Sequence, residues 1–210
     1  MPGRNVGSDG EHEIQDTLGT ADRAERFYDE QVIDYLNTSM IDFVKRMDMA
    51  FISTADAHGE CDASFRSGTP GFLHVIDERT IAYPEYRGNG VMASLGNILE
   101  NPHVGILMVD FIRDLIGLHV NGKARMVADS ELRETVDGLP AAERGKASQV
   151  WVVVDVEEAY IHCRKHIPQM VRVDRDQRVW GTDSTRAKGG DYFGVKADKQ
   201  AVEPAAAKAG

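Results

Sequence analysis

Two short stretches combine guanidinium groups, hydroxyls and glycines at spacings suited to holding an anion. In Tyr83-Pro84-Glu85-Tyr86-Arg87-Gly88-Asn89-Gly90 the glycines let the backbone come close to a ligand, and the stretch runs straight into a predicted helix. The first turn of such a helix offers unpaired N–H groups, and Arg87 adds a fixed charge with a forked donor, so Arg87, Gly88 and Asn89 read as a phosphate site. Ser64-Phe65-Arg66-Ser67-Gly68 ends a predicted strand with two hydroxyls and a second guanidinium. Each stretch alone also reads as a glycine turn or strand end with an exposed arginine. Together, on strand ends of one small barrel, they suit a phosphate dianion better.

Other reactive side chains are harder to assemble. His162-Cys163-Arg164-Lys165-His166 has ligand types in sequence, but along a strand His162 and Cys163 face opposite sides, so no metal site is expected. His119 shares one strand face with Lys123 and Arg125, which reads as a solvated face or as a surface touching a cofactor of a neighbouring subunit. None of His119, His162 and His166 has an evident orienting partner. Cys61 and Cys163 form no CxxC pair and read as packing residues. No nucleophile elbow, serine triad or carboxylate pair is present, so no side chain is assigned as catalytic.

The elements that must position these residues follow from periodicity. Residues 1–19 carry four glycines, several acids and little apolar content, and read as a mobile arm. From Thr20, apolar residues recur at three and four, predicting two helices, the second capped by Asn37, Thr38 or Ser39. Strands follow at about 50–54, 61–66, 72–76 and 80–83; their short connections predict a four-stranded antiparallel meander. A helix over 91–100 is stopped by Pro102, and strands at about 104–111, 115–127 and 150–162 flank a short helix at 130–136. In the sixth strand Leu118, Val120, Gly122, Ala124 and Met126 share one face. Without repeating crossover helices a doubly wound sheet is disfavoured. The expected fold is mainly β with flanking helices, an antiparallel six- to seven-stranded split β-barrel over 20–173, with a C-terminal arm or tail over 174–210.

Composition narrows the partners. The chain of 210 residues has a formal net charge of −10, which repels a polyphosphate backbone, so nucleic acid is not expected. No run approaches eighteen apolar residues, and the first fifteen are polar and acidic, so neither a membrane span nor a signal peptide is expected and the cytoplasm is the default compartment.

The order of several motifs goes further. Asp62 to Phe72, Thr80-Ile81-Ala82-Tyr83-Pro84 with Arg87-Gly88-Asn89, Asn101 to Leu107, Val120 to Arg125 and Glu158 to Lys165 resemble the FMN-binding split-barrel proteins related to pyridoxamine 5′-phosphate oxidase, in the branch of predicted flavin-nucleotide-binding proteins. The resemblance spans about Met40 to Met170. It implies a homodimer with FMN at the subunit interface. Arg66 and Ser67, with Ser64 beside them, would meet the phosphate, Tyr83 and Pro84 would border the flavin or ribityl chain, and Arg87, Gly88 and Asn89 would close the phosphate end. The function implied is an FMN-dependent oxidoreductase passing hydride or electrons to a small molecule. A deazaflavin-dependent reductase, or a non-enzymatic carrier of flavin or haem, needs the same barrel.

Overall fold

In a computed structural model, residues 6–86, 88–140, 148, 150–173 and 189–206 are described, the side chains of 201–206 excepted. Three helices come first: α1 (Asp9–Leu18), α2 (Ala21–Gln31) and α3 (Thr38–Arg46). A helix over 9–18 departs from the sequence expectation for residues 1–19. Its start is fixed locally: Ser8 accepts from Glu11 N–H while the Glu11 carboxylate takes the Ser8 N–H, a capping box that composition does not weigh. Asn37 caps α3 by accepting from Met40 N–H.

Seven strands follow: β1 (Met49–Ala55), β2 (Cys61–Ser67), β3 (His74–Asp77), β4 (Thr80–Glu85), β5 (His103–Asp110), β6 (Ile116–Ala128) and β7 (Val150–His162). Helix α4 (Ala93–Glu100) precedes β5, α5 (Asp129–Thr135) follows β6, and α6 (Val195–Ala206) lies near the C-terminus. The strands form one antiparallel sheet in the order β2-β1-β5-β6-β7-β4-β3, curled but not closed, which is the split barrel expected from the sequence. The expected meander does not form. β1–β2 and β3–β4 are hairpins at opposite ends of the sheet, with β5, β6 and β7 between them. The linker between β2 and β3 explains this: Gly68 and Gly71 N–H donate to the carbonyls of Asp48 and Met47, and Phe72 and Leu73 are buried, so the link is pinned to the residues before β1 and packed on the core instead of turning back along β2.

The core lies inside the curl. Ala50, Ile52, Ile81, Tyr83, Ile106, Val120, Val152 and Val154 fill it from alternate strand positions, and Leu36, Val44 and Ile98 add to it from the helices and their connection. The β6–β7 register shifts between Asn121 and Gly122, where β7 carries the extra residue Glu157, and a Cβ on Gly122 would overlap the Asp155 carbonyl oxygen, so only glycine lets the two strands approach there. On the outer face Ala82, Trp151 and Val153 pack beneath Leu132 of α5, and the Trp151 indole donates to Asp129 at 2.7 Å. Among the described residues no helix is long and apolar enough to cross a membrane.

Candidate functional site

The edge strand β2 alternates strictly. Cys61, Ala63 and Phe65 are exposed, while Asp62, Ser64 and Arg66 turn inward, opposite Thr54, Ile52 and Ala50 of β1. β4 does the same across the opening, with Tyr83 and Glu85 directed inward opposite Val152 and Val150. The first turn of α4 closes the gap with Ser94, which is 3% exposed. One polar cluster therefore spans the split in the barrel.

Its bonds are internal. The Arg66 guanidinium donates through Nε and Nη2 to Glu85 Oε2 at 3.2 and 3.1 Å, and Nη2 also reaches Ser94 Oγ at 3.4 Å. Ser64 and Ser94 hydroxyls both donate to Asp62 Oδ2, at 2.8 and 3.0 Å. Arg66 and Glu85 side chains are only 20% and 11% exposed. Burial drives the Glu85 carboxyl above its usual range, and the Arg66 charge and hydrogen bond reverse only part of that rise. Tyr83 is fully buried, and its hydroxyl has no hydrogen-bond partner among the described residues. Burial pushes that phenol far up, with the charges of Arg66 and Glu85 acting on it in opposite directions.

The structure thus brings Ser64, Arg66 and Tyr83 together and adds Asp62, Glu85 and Ser94, for which the sequence reading has no role. The period-two pattern Asp62, Ser64, Arg66 and the pair Tyr83, Glu85 carry that signal. Ser67 and Pro84 sit at positions of opposite parity: Ser67 ends β2 on the far side from Arg66, and Pro84 is buried opposite Trp151, on the outer face. Gly88 and Asn89 are exposed, and the Asn89 side chain accepts from Val91 N–H. Arg87 lies outside the described residues.

A second group lies on the outer face of β6 and β7. His119 Nε2 and His162 Nδ1 are 3.0 Å apart, and the His119 ring stacks on Tyr160 with centroids 4.7 Å apart and planes at 16°. Burial, then the charge of His162, lowers the His119 pKa. Both of these histidines therefore have a partner that the sequence does not reveal. The register supplies it: Tyr160 lies opposite His119 and His162 opposite Gly117, a diagonal that becomes visible only once strands are paired.

A family profile described as pyridoxamine 5′-phosphate oxidase matches residues 36–163, from the turn before α3 to the residue after β7. The chain belongs to the pyridoxamine 5′-phosphate oxidase family. The matched segment contains the whole sheet and both clusters. Among solved structures, an FMN-binding protein from Syntrophomonas wolfei is similar at 14% identity over 79% of this chain and 100% of that one, with a TM-score of 0.45. Protein Rv2991 from Mycobacterium tuberculosis is similar at 17% identity over 70% and 99%, with a TM-score of 0.45. HupZ from Group A Streptococcus is similar at 19% identity over 65% and 99%, with a TM-score of 0.42. Comparison with curated proteins finds none that matches.

The interior cluster carries donors of the kind that hold a phosphate. Donors are present: Arg66, two hydroxyls and the start of α4. Glu85 meets Arg66 and Asp62 takes both serine protons, so the described residues fit a phosphate where Glu85 yields the guanidinium and Asp62 the two hydroxyls. The partnerless Tyr83 hydroxyl beside the pair is what a site still wanting one ligand atom leaves behind.

Proposed function

We propose that this member of the pyridoxamine 5′-phosphate oxidase family binds FMN at the split of its barrel and works as an oxidoreductase on a small molecule. The observation that carries the reading is the convergence from three elements, onto one point of the family's fold, of Arg66, Ser64, Ser94 and the Tyr83 hydroxyl, which is unsatisfied among the described residues. FMN supplies the redox chemistry when bound. The chain's residues hold its phosphate and exclude water, and Arg87, Gly88 and Asn89 stand next in sequence to close the phosphate end.

The assembly that goes with this function is a homodimer with the cofactor between subunits. Its support is apolar surface left open in one chain: Phe51 and Phe65 touch at 5.5 Å between ring centroids, yet are 42% and 53% exposed, and Ile112 and Met170 are also exposed. Sedimentation at micromolar concentration tests it, and a monomer that still binds flavin overturns it.

The absorption spectrum of the purified protein, followed by FMN titration, tests the cofactor. Flavin bands, or saturable FMN uptake, are expected. A haem Soret band, or deazaflavin bound in preference to FMN, replaces the cofactor. Anaerobic reduction of the bound flavin by NADH or NADPH then separates an enzyme from a carrier.

A further inference from the structure

We propose that His119 and His162 form a two-imidazole chelate for a divalent transition-metal ion on the outer face of the β6–β7 pair, independent of any flavin. Their facing nitrogens, His119 Nε2 and His162 Nδ1, are 3.0 Å apart. Two imidazole nitrogens each about 2.0–2.1 Å from one zinc ion, at an angle between 90° and tetrahedral, are about 2.8–3.4 Å apart, so the nitrogens already stand at a chelate bite, and the rings, with centroids 5.2 Å apart, each need to swing by roughly 25° to aim both lone pairs at one ion. The proton now shared in the contact moves to the far nitrogen of its own ring, leaving both facing nitrogens bare for an ion.

The surroundings keep the two rings close. Gly117 lies opposite His162, and a Cβ there would come within 2.8 Å of His162 Cβ and 2.9 Å of the Met108 carbonyl oxygen. Any other residue at 117 would push the His162 ring away. Tyr160, stacked on His119 and touched edge-on by Phe27 of α2 at 6.0 Å, fixes the plane of the other ring. Both histidines are half-buried, so the chelate is ordered by packing yet open to solvent. Among the described residues no third histidine, cysteine or carboxylate completes a cluster. The described residues therefore offer two ligands and leave the remaining positions to water or an incoming ligand, the arrangement of an open site rather than a closed structural one.

The test titrates the full-length protein, stripped with a chelator, with ZnCl2 by calorimetry at neutral pH. Saturable binding of one ion per chain is expected for the wild type and for His103→Ala, whose exposed ring is bonded to Asn101 instead. His119→Ala and His162→Ala should each weaken it about tenfold or more. Zinc should raise the melting temperature of the wild type and His103→Ala but not of the other two variants. Nitrogen NMR of the wild type needs no variant: added zinc should shift His119 Nε2 and His162 Nδ1. Equal binding by all variants, shifts confined to other histidines, or no saturable uptake by the wild type overturns the proposal.

Discussion

Two polar clusters in this molecule pair an arginine with two acidic residues, and they are resolved in opposite ways. At the end of β5, Asp110 is 7% exposed and accepts from the N–H groups of Ile112, Arg113 and Asp114 and from Arg46 Nη2, which also bonds Asp114. Burial works to raise the Asp110 pKa, but the three backbone donors and Arg46 together hold it below the usual range. The Arg46 guanidinium lies 4.8 Å over the Phe43 ring. This is a carboxylate satisfied by its own loop. At the barrel split, the Glu85 carboxylate leans on Arg66, its carboxyl is driven up, and Tyr83 beside it stays unsatisfied among the described residues. Each cluster keeps one loose atom among the described residues, Arg46 Nε in the first and the Tyr83 hydroxyl in the second, so the difference lies in how the acid is held: four donors lower the Asp110 pKa, whereas Arg66 alone does not offset the burial of Glu85. The first cluster is closed around its carboxylate; the second is not.

The largest effect should come from breaking the closed cluster. Asp110→Ala leaves three backbone N–H groups without their acceptor and takes from Arg46 one of its two carboxylates, and should cost about 2–4 kcal/mol, lowering the melting temperature by roughly 5–15 °C. The sign with pH follows from the lowered pKa. The Asp110 contribution is present above the ordinary carboxylate pKa and lost as pH falls through its lowered value, so the gap between wild type and variant should shrink in acid. Calorimetric melts from neutral pH to about pH 3 would measure it. A gap that does not narrow in acid would mean that the ionised Asp110 carboxylate does not hold this loop.

Next in size is Arg66→Ala at the open cluster. Loss of a charge-assisted phosphate contact should weaken FMN by about 1.5–3 kcal/mol, roughly ten- to hundred-fold, and leave riboflavin binding nearly unchanged because it has no phosphate. Fluorescence titration of both ligands separates the outcomes. Equal losses for both would make Arg66 a structural partner of Glu85 and nothing more.

The closed parts of this molecule are more legible in its sequence than the open ones. β7, predicted over 150–162, runs over Val150–His162, and the inward face of β6 is the one its alternation marks, because a buried strand face must be apolar at every second residue. Arg66 stands out by type, whereas Tyr83 enters only through the family resemblance. What escapes is pairing across the barrel: that Glu85 meets Arg66, that Ser94 closes the gap, and that His119 meets His162 depends on register and curl, which no local pattern encodes. The helix over 9–18 escapes for the opposite reason, since its stability rests on one cap and buries no residue of α1. Pro84 joins the site only through its neighbours in sequence, although strand alternation alone places it on the far face from Tyr83 and Glu85.

Glu85→Gln sharpens the contrast. It keeps the shape of the side chain, removes the carboxylate competing for Arg66, and should tighten FMN by about 1–2 kcal/mol, five- to thirty-fold at neutral pH. Because the Glu85 pKa is raised in the folded chain, folding favours its protonated form, and the ionised carboxylate opposes both folding and phosphate binding increasingly as pH rises through that raised value. The variant's advantage should therefore be small in acid and grow toward neutrality. FMN titrations at several pH values, each taken as the ratio of variant to wild type, cancel the phosphate's own titration. A ratio flat with pH, or weaker binding by the variant, would show that Glu85 does not compete for the arginine.

The smallest effect tests the loose end itself. Tyr83→Phe deletes one buried hydroxyl that has no partner among the described residues and changes nothing else in the apolar shell around the ring. An unsatisfied buried hydroxyl costs on the order of 1 kcal/mol, so the variant without ligand should be the more stable by about that much, a rise of roughly 2–4 °C in melting temperature. If FMN supplies the missing partner, the sign reverses with ligand: the variant should bind FMN about five-fold more weakly, and its melting advantage should disappear at saturation. Paired melts with and without FMN close this cycle. An advantage that survives saturation would mean that the hydroxyl faces no ligand atom, and the open cluster would then be a defect of packing rather than a binding site.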